Sequence, residues 1–431
     1  MVKGGLSSFK GKRILLLQGP LGPFLRRLSI DMELAGAKVF KVNFNGGDWL
    51  FYPTRAFNFR GHMEEWPRYF EKLLDQLNVD IVMLYGDCRP IHKAAHQIAH
   101  KRGIEIGVFE EGYIRPDFIT LERFGVNNHS LISREAAFFE DFPDKPMYRP
   151  MQLGNAYWYT VCWAMLYYFS AGLLRPIFFL YQHHRPLNWL EAIPWLHSAW
   201  RKGYYSIKER GLLEHIKCKW QGKYFLVPLQ VHNDSQLHVH SDFKSVFEFI
   251  DAVTTSFAQN AQPDTILIVK HHPMDRGYSD YTKFIDSKIK ELNLHGRCFY
   301  LHDQHLPTLL QNSRGVVVIN STVGLSALHN GTALKVCGKA MYDFPGLTFQ
   351  GTLDDFWQGA HLSKPDDKLV QRFNNYLIQN TQVNGSFYKR MAVLASTVGL
   401  NWNMVINNNV VKQTIDDKNR FTPHIVKSGG K

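Results

Sequence analysis

Two adjacent carboxylates stand before a glycine in the run Phe109-Glu110-Glu111-Gly112-Tyr113-Ile114-Arg115-Pro116. Like charges held together in a partly desolvated cleft repel, and such crowding raises one carboxyl pKa toward the range where a side chain exchanges protons with a substrate. Arg115 follows closely enough to hold one of these carboxylates, or a carboxylate of the substrate, through a bidentate contact. The plainer alternative is a solvated turn with two ordinary surface glutamates.

A second chemical run is Lys270-His271-His272-Pro273. Proline stops a strand and fixes the chain, so the preceding His272 is presented in a defined direction. An imidazole there can donate to a phosphate oxygen and, with Lys270, stabilise charge on a departing phosphate. Adjacent histidines rarely point at one ion, and no carboxylate ligand stands at helical spacing, so the pair predicts no metal site. In Asn320-Ser321-Thr322-Val323-Gly324, Ser321 or Thr322 is a natural helix N-cap whose hydroxyl, with exposed backbone N–H groups, forms an anion site or simply caps a helix. The glycine-rich turn Gln18-Gly19-Pro20-Leu21-Gly22 suits an acceptor-side contact through Gly19 and Gly22, or no ligand at all, and matches no nucleotide phosphate loop. Gln230 and Asp234 are candidates for lining a donor pocket, with a plain turn as the rival reading.

Each of these runs follows a short apolar stretch. Arg13 to Gln18, Lys38 to Phe44, Val79 to Tyr85 and Ile104 to Phe109 read as strands, with helical patterns between them. The alternation returns at Tyr224 to Leu229, Thr265 to Lys270, Arg297 to Leu301, Val316 to Ile319 and Ala333 to Cys337. Strands alternating with helices mean parallel sheets covered on both faces, so the fold class is α/β, with two Rossmann-like halves facing a cleft. Ligands in such sheets sit at the carboxyl ends of the strands, where the chemical runs lie. The predicted divisions are a first domain at 1–150, an aromatic-rich helical segment at 151–210, a second domain at 211–365, helices packing back on the body at 366–415, and a flexible tail at 416–431.

The chain of 431 residues is 45% hydrophobic and 14% aromatic, which fits a large core and excludes a disordered polycation. A net charge of +12 points to an anionic partner: nucleotide, acidic sugar, anionic lipid or nucleic acid. Five scattered cysteines without a Cys-x-x-Cys pair predict neither a disulfide scaffold nor a zinc finger. The first apolar run ends at Gln18, too soon for a signal peptide, and the expected compartment is the cytoplasm. Residues 156–174 carry no charge and approach the ~20 residues that span a bilayer. Their many Tyr and Trp argue instead for a helix buried between domains or one lying on a membrane surface. Nearby Arg175, His183, His184, Arg185, Arg201 and Lys202 suit anionic headgroups.

Taken together, the acidic pair before Gly112, the His-Pro pair and the Ser-Thr turn resemble the motif set of GT-B glycosyltransferases that use CMP-activated acidic sugars. The longer stretches FEEGYIRPDFITLE, KHHPMDRG and INSTVGLSALHNGTALKVCGKAMYDFPGLT resemble the capsule polysaccharide biosynthesis family of the KpsS/LipB kind, from the first strand to about Gln350. That resemblance implies a GT-B-like retaining β-Kdo transferase that takes Kdo from CMP-Kdo and starts a poly-Kdo linker on a phosphatidylglycerol-type lipid at the inner-membrane surface. It implies that His272 and Pro273 meet the CMP phosphate, and that Asn320, Ser321, Thr322 and Gly324 hold phosphate and ribose, with Lys270, Gln230 and Arg115 also on the donor. Glu111 is implied as the catalytic carboxylate, with Glu110 second and His272 assisting; related transferases usually carry Asp where Glu111 stands. No Asp-x-Asp occurs in the chain, so neither cofactor nor metal is expected at the donor. The expected partners are CMP-Kdo, the lipid acceptor and other capsule proteins, and not nucleic acid. A GT-B transferase with another donor and a non-catalytic protein that binds capsule precursor for export are the alternatives.

Overall fold

The computed structural model describes residues 2–181, 192–234, 237 and 240–402. His183, His184 and Arg185, the segment from 403 to 415 and the tail at 416–431 lie outside the described residues.

The first half is built on β1 (Arg13–Leu16), β2 (Lys38–Asn43), β3 (Ala56–Asn58), β4 (Ile81–Tyr85), β5 (Glu105–Glu111) and β6 (Phe118–Arg123), joined late in the chain by β12 (Gln382–Asn384). Their order is β12-β6-β5-β4-β1-β2-β3. Side chains alternate between faces along each strand. Ile14 and Leu16 of β1 enter one apolar cluster and Leu15 and Leu17 the other, so the sheet is buried on both sides. Helices α1 (Phe24–Leu34), α2 (Gly46–Phe51), α3 (Trp66–Leu77) and α4 (Pro90–Lys101) belong to this half.

The second half is a parallel sheet of β7 (Tyr224–Pro228), β8 (Ile266–Lys270), β9 (Cys298–Leu301), β10 (Gly315–Val318) and β11 (Ala333–Val336), in the order β11-β10-β7-β8-β9. Ile266 and Ile268 face one cluster, Leu267 and Val269 the other. The architecture is therefore α/β and GT-B-like, two Rossmann-like sheets with a cavity between them.

Besides β3, β6 and β12, which are not among the expected strands and of which β6 and β12 pair antiparallel so that the first sheet is mixed and not parallel throughout, the structure differs from the sequence-based expectation in two places. First, β5 continues through Glu111, so both glutamates are the last residues of a strand and not part of a loop. The chain then folds straight back into antiparallel β6. Gly112 makes this possible, since a Cβ there would lie 2.0 Å from the Phe118 carbonyl oxygen. Second, the segment after Asp366 holds one helix among the described residues, not several. After α5 (Tyr157–Leu173), α6 (Ala192–Lys208), α7 (Leu212–Trp220), α8 (Val246–Asn260), α9 (Thr282–Glu291), α10 (Leu306–Asn312), α11 (Val323–His329) and α12 (Leu353–Gly359), this helix is α13 (Asp367–Asn380). It packs Phe373, Tyr376 and Leu377 into the second half. The chain then crosses back: Gln382 to Asn384 pair antiparallel with β6, satisfying an edge that would otherwise stay unpaired. Phe387, Val398 and Leu400 finish in the core of the first half.

The aromatic segment forms α5, with its two sides in different surroundings. Tyr167, Ser170 and Ala171 are buried against α2. Side chains at Gly46 or Gly47 would collide with the Ser170 carbonyl or the Tyr167 ring, so two glycines let the helices close. Trp158, Met165, Phe169 and Leu173 face outward. No helix among the described residues is long and apolar enough to cross a membrane.

Candidate active site

A cavity of about 480 Å³ lies between the halves, a size suited to a nucleotide-sugar. The first half contributes Glu110, Glu111, Arg115 and Arg89, and the second Gln230, Asp234, His272, Asn320, Ser321 and Thr322.

The strand period sends the two glutamates to opposite faces of the sheet while both reach the cavity at its edge. Glu111 Oε1 accepts hydrogen bonds from Tyr388 Oη at 2.8 Å and Tyr85 Oη at 3.3 Å. Burial pushes both phenols well above their ordinary pKa, so they remain donors. Glu110 is half-buried, and its Oε1 accepts from the Glu111 backbone N–H at 3.0 Å. Burial pushes its carboxyl up to about 7, opposed by that hydrogen bond and reinforced by the Glu111 charge. The expected upward shift is present, but on Glu110 and chiefly from desolvation; repulsion is secondary. Arg115 holds neither glutamate; its Nε donates to the Gly112 carbonyl, and the side chain lines the cavity. Arg89, next to Glu110, lies over the Tyr85 ring and donates to Gln18 Oε1 at 2.8 Å.

His272 Nδ1 accepts from Met274 N–H at 3.1 Å, the turn that Pro273 begins. That bond places the proton of the neutral ring on Nε2. Burial pushes the imidazole down to about 4, so at neutral pH it is an uncharged donor. Ser321 Oγ accepts from Val323 N–H, whereas the Thr322 side chain makes no capping bond; its hydroxyl lines the cavity. Gln230 Nε2 donates to Asn320 Oδ1 at 2.9 Å and Asp234 Oδ2 at 3.1 Å, leaving its buried Oε1 without a partner among the described residues. That acceptor borders a cavity where a ligand N–H or O–H can satisfy it.

Several expected site residues are elsewhere. Lys270 shares the face of Ile266 and Ile268 and does not line the cavity. Burial, with Arg276 nearby, pushes its ammonium down to about 8, while Glu209 and Asp303 pull it up. Pro273 only fixes the turn. Gly324 is buried under Tyr342, whose hydroxyl would be 2.4 Å from a Cβ there, so this glycine is a packing requirement. Gly19 and Gly22 border a separate cavity of about 20 Å³ beside Lys41 and Tyr167, room for about one water. Three further residues, Tyr85, Arg89 and Tyr388, belong to the site and are not among the expected ones. Tyr85 and Arg89 flank the β4 tip, a place the strand rule marks, whereas Tyr388 carries no local signal.

Paired Rossmann-like halves enclosing a cavity, with Glu110 and Glu111 on one wall and His272, Ser321 and Thr322 on the other, define a GT-B-like protein. The chain belongs to a family described as capsule polysaccharide biosynthesis protein, whose model matches residues 80–388. It is 40% identical over 380 residues to the capsule polysaccharide export protein KpsS of Escherichia coli, covering 88% of this chain and 97% of that one. It is also 40% identical over 389 residues to the capsule polysaccharide modification protein LipB of a Neisseria meningitidis serogroup A strain, covering 88% and 92%. Among solved structures it is similar to a Thermosulfurimonas dismutans KpsC β-Kdo 2,7-transferase, with a TM-score of 0.41, 14% identity and coverage of 87% and 93%.

Proposed function

We propose that the protein is a retaining β-Kdo transferase that uses CMP-Kdo to place the first Kdo of a poly-Kdo linker on a phosphatidylglycerol-type lipid, in capsular polysaccharide biosynthesis. The observation that carries this reading is the shared cavity, in which Glu110 and Glu111 face His272, Ser321 and Thr322 on a chain of the capsule family. In this reading Glu111, fixed by two phenols, attacks the anomeric carbon; that bond forms as the bond to the CMP oxygen breaks, and CMP leaves with the electron pair. His272 Nε2–H and the two hydroxyls bind the phosphate charge as it grows, with no Mg²⁺ or Mn²⁺. The acceptor hydroxyl then displaces Glu111 and gives its proton to Glu110, whose pKa of about 7 suits that transfer near neutral pH. Arg115 pairs with the sugar carboxylate.

The lipid acceptor is supported by a surface feature. Tyr168 of α5 and Trp195 of α6 pack with ring centroids 5.8 Å apart, and Trp158 and Phe169 of α5 and Leu196 and Trp200 of α6 are all exposed. An apolar, Trp-rich surface of this kind suits a bilayer interface, which supports a peripheral position on the cytoplasmic side of the inner membrane. The test is incubation with CMP-Kdo and phosphatidylglycerol vesicles, followed by mass spectrometry of the lipid. One Kdo per lipid is expected; unmodified lipid, or calorimetric binding of UDP tighter than of CMP, overturns the reading.

A further inference from the structure

Cys88, His129 and His240 converge from three distant places. Cys88 is in the loop between β4 and α4, His129 ends a turn at Asn127–His129 after β6, and His240 precedes α8 in the second half. One ligand atom from each lies within 4.8 Å of the others. We propose that these three side chains bind a divalent cation of the zinc class and so clamp the two halves together beside the cavity.

The distances suit such an ion. A thiolate at ~2.3 Å and an imidazole nitrogen at ~2.0 Å from one tetrahedral centre stand ~3.6 Å apart. Cys88 Sγ and His240 Nε2 are 3.6 Å apart. His129 is already oriented as a ligand, because its Nδ1 is 3.0 Å from Asp87 Oδ2. That carboxylate is buried and also accepts from the Val126 N–H, so it holds the ring and leaves Nε2 for the metal. Asp87 Oδ1 further meets Cys88 Sγ at 3.2 Å. Binding converts the thiol to thiolate and releases its proton to solvent. It also places the His240 ring proton on Nδ1, 3.5 Å from the Asn128 amide nitrogen, and a turn of that amide offers its oxygen at the loss of an exposed contact to Arg134. Three protein ligands leave one position for water or for a group in the cavity that Cys88 also lines.

This clamp is independent of the donor assigned above, and its test reads the metal directly. Full-length protein stripped of metal by a chelator is titrated with Co²⁺ under reducing, oxygen-free conditions. One equivalent of tetrahedral cobalt with a thiolate charge-transfer band is expected, displaced by Zn²⁺, and Zn²⁺ should raise Tm. Cys88→Ser should abolish the band and His129→Gln, at an exposed position, should weaken Co²⁺ binding at least about tenfold while far-ultraviolet circular dichroism is unchanged. A Cys162→Ser/Cys218→Ser variant, which removes the two exposed thiols, should keep the band. Absence of a saturable band, or its survival in folded Cys88→Ser, overturns the proposal.

Discussion

The Tyr388 hydroxyl donates to Glu111 Oε1 at 2.8 Å, joining residues 277 positions apart and tying the returning C-terminal segment to the end of β5. The relationship exists because β12 carries the chain back onto the first sheet just before Phe387 and Tyr388. A net hydrogen bond of this kind contributes about 1–1.5 kcal/mol, about tenfold in a rate that depends on it. Tyr388→Phe should therefore lower kcat about tenfold with KM within about twofold, while Glu111→Gln lowers kcat by at least about 10³-fold. Steady-state kinetics on both variants, with Tm as a folding control, decide it. Equal kcat in wild type and Tyr388→Phe would mean that the phenol does not position Glu111.

In the proposed reaction Glu110 makes the transfer rate dependent on pH. Its carboxyl titrates near 7, so the base form is scarce below that value and activity should rise through an apparent pKa near 7. Glu110→Gln should remove this limb and leave a low, flat profile. Stability should move the other way. A carboxyl raised from 4.5 in the unfolded chain to about 7 in the fold favours the protonated form there. Its contribution is fully present below 4.5 and is lost as pH rises through about 7. Buried Glu122, raised to about 7 mainly by burial, adds to the same slope. Buried histidines pushed down by burial, His272 among them, contribute with the opposite sign, so the check is the difference between two proteins: in denaturant melts between pH 4.5 and 7.5 wild type should lose stability relative to Glu110→Gln as pH rises, and a relative gain contradicts the assignment.

In the proposed reaction His272 acts as a neutral donor through Nε2. His272→Ala should cut kcat/KM by about 100-fold, the scale seen when one preorganised donor to a developing charge is removed. His272→Gln keeps an amide N–H and should recover about tenfold of that loss. If Gln is no better than Ala while CMP affinity is unchanged, donation to phosphate is not what His272 does.

Strand periodicity locates the strand tips, and Glu110, Glu111 and His272 are legible there because a polar residue ending an apolar run is a local pattern. Lys270 shows how the same logic fails: position at a strand end does not reveal which face a side chain takes, and β8 turns this lysine toward Glu209 and Asp303. Gly19, Gly22 and Gly324 resemble ligand turns in sequence, yet Gly324 answers to Tyr342 and the other two to a separate small cavity. Such close approaches come from elements far along the chain. Tyr388 is in the same position, and so is the pair Cys88 and His240, 152 residues apart, which no spacing rule brings together.

The apolar surface offers the last expectation. Phe169 and Trp158 are 71% and 70% exposed on α5, on the side away from Tyr167 and Ser170 that anchor it to α2. A charge at either position leaves those anchors intact but places a carboxylate where the bilayer interface would be. Trp158→Glu/Phe169→Glu should weaken flotation with phosphatidylglycerol vesicles at least about tenfold, each buried aromatic being worth roughly 1.5–3 kcal/mol. Transfer to a short-chain, monomeric phosphatidylglycerol should stay within about twofold of wild type, because neither residue touches the cavity. A variant that still floats with vesicles would assign the aromatic face to a protein partner instead of lipid, and a variant that loses both activities would show that α5 supports the fold of the first half.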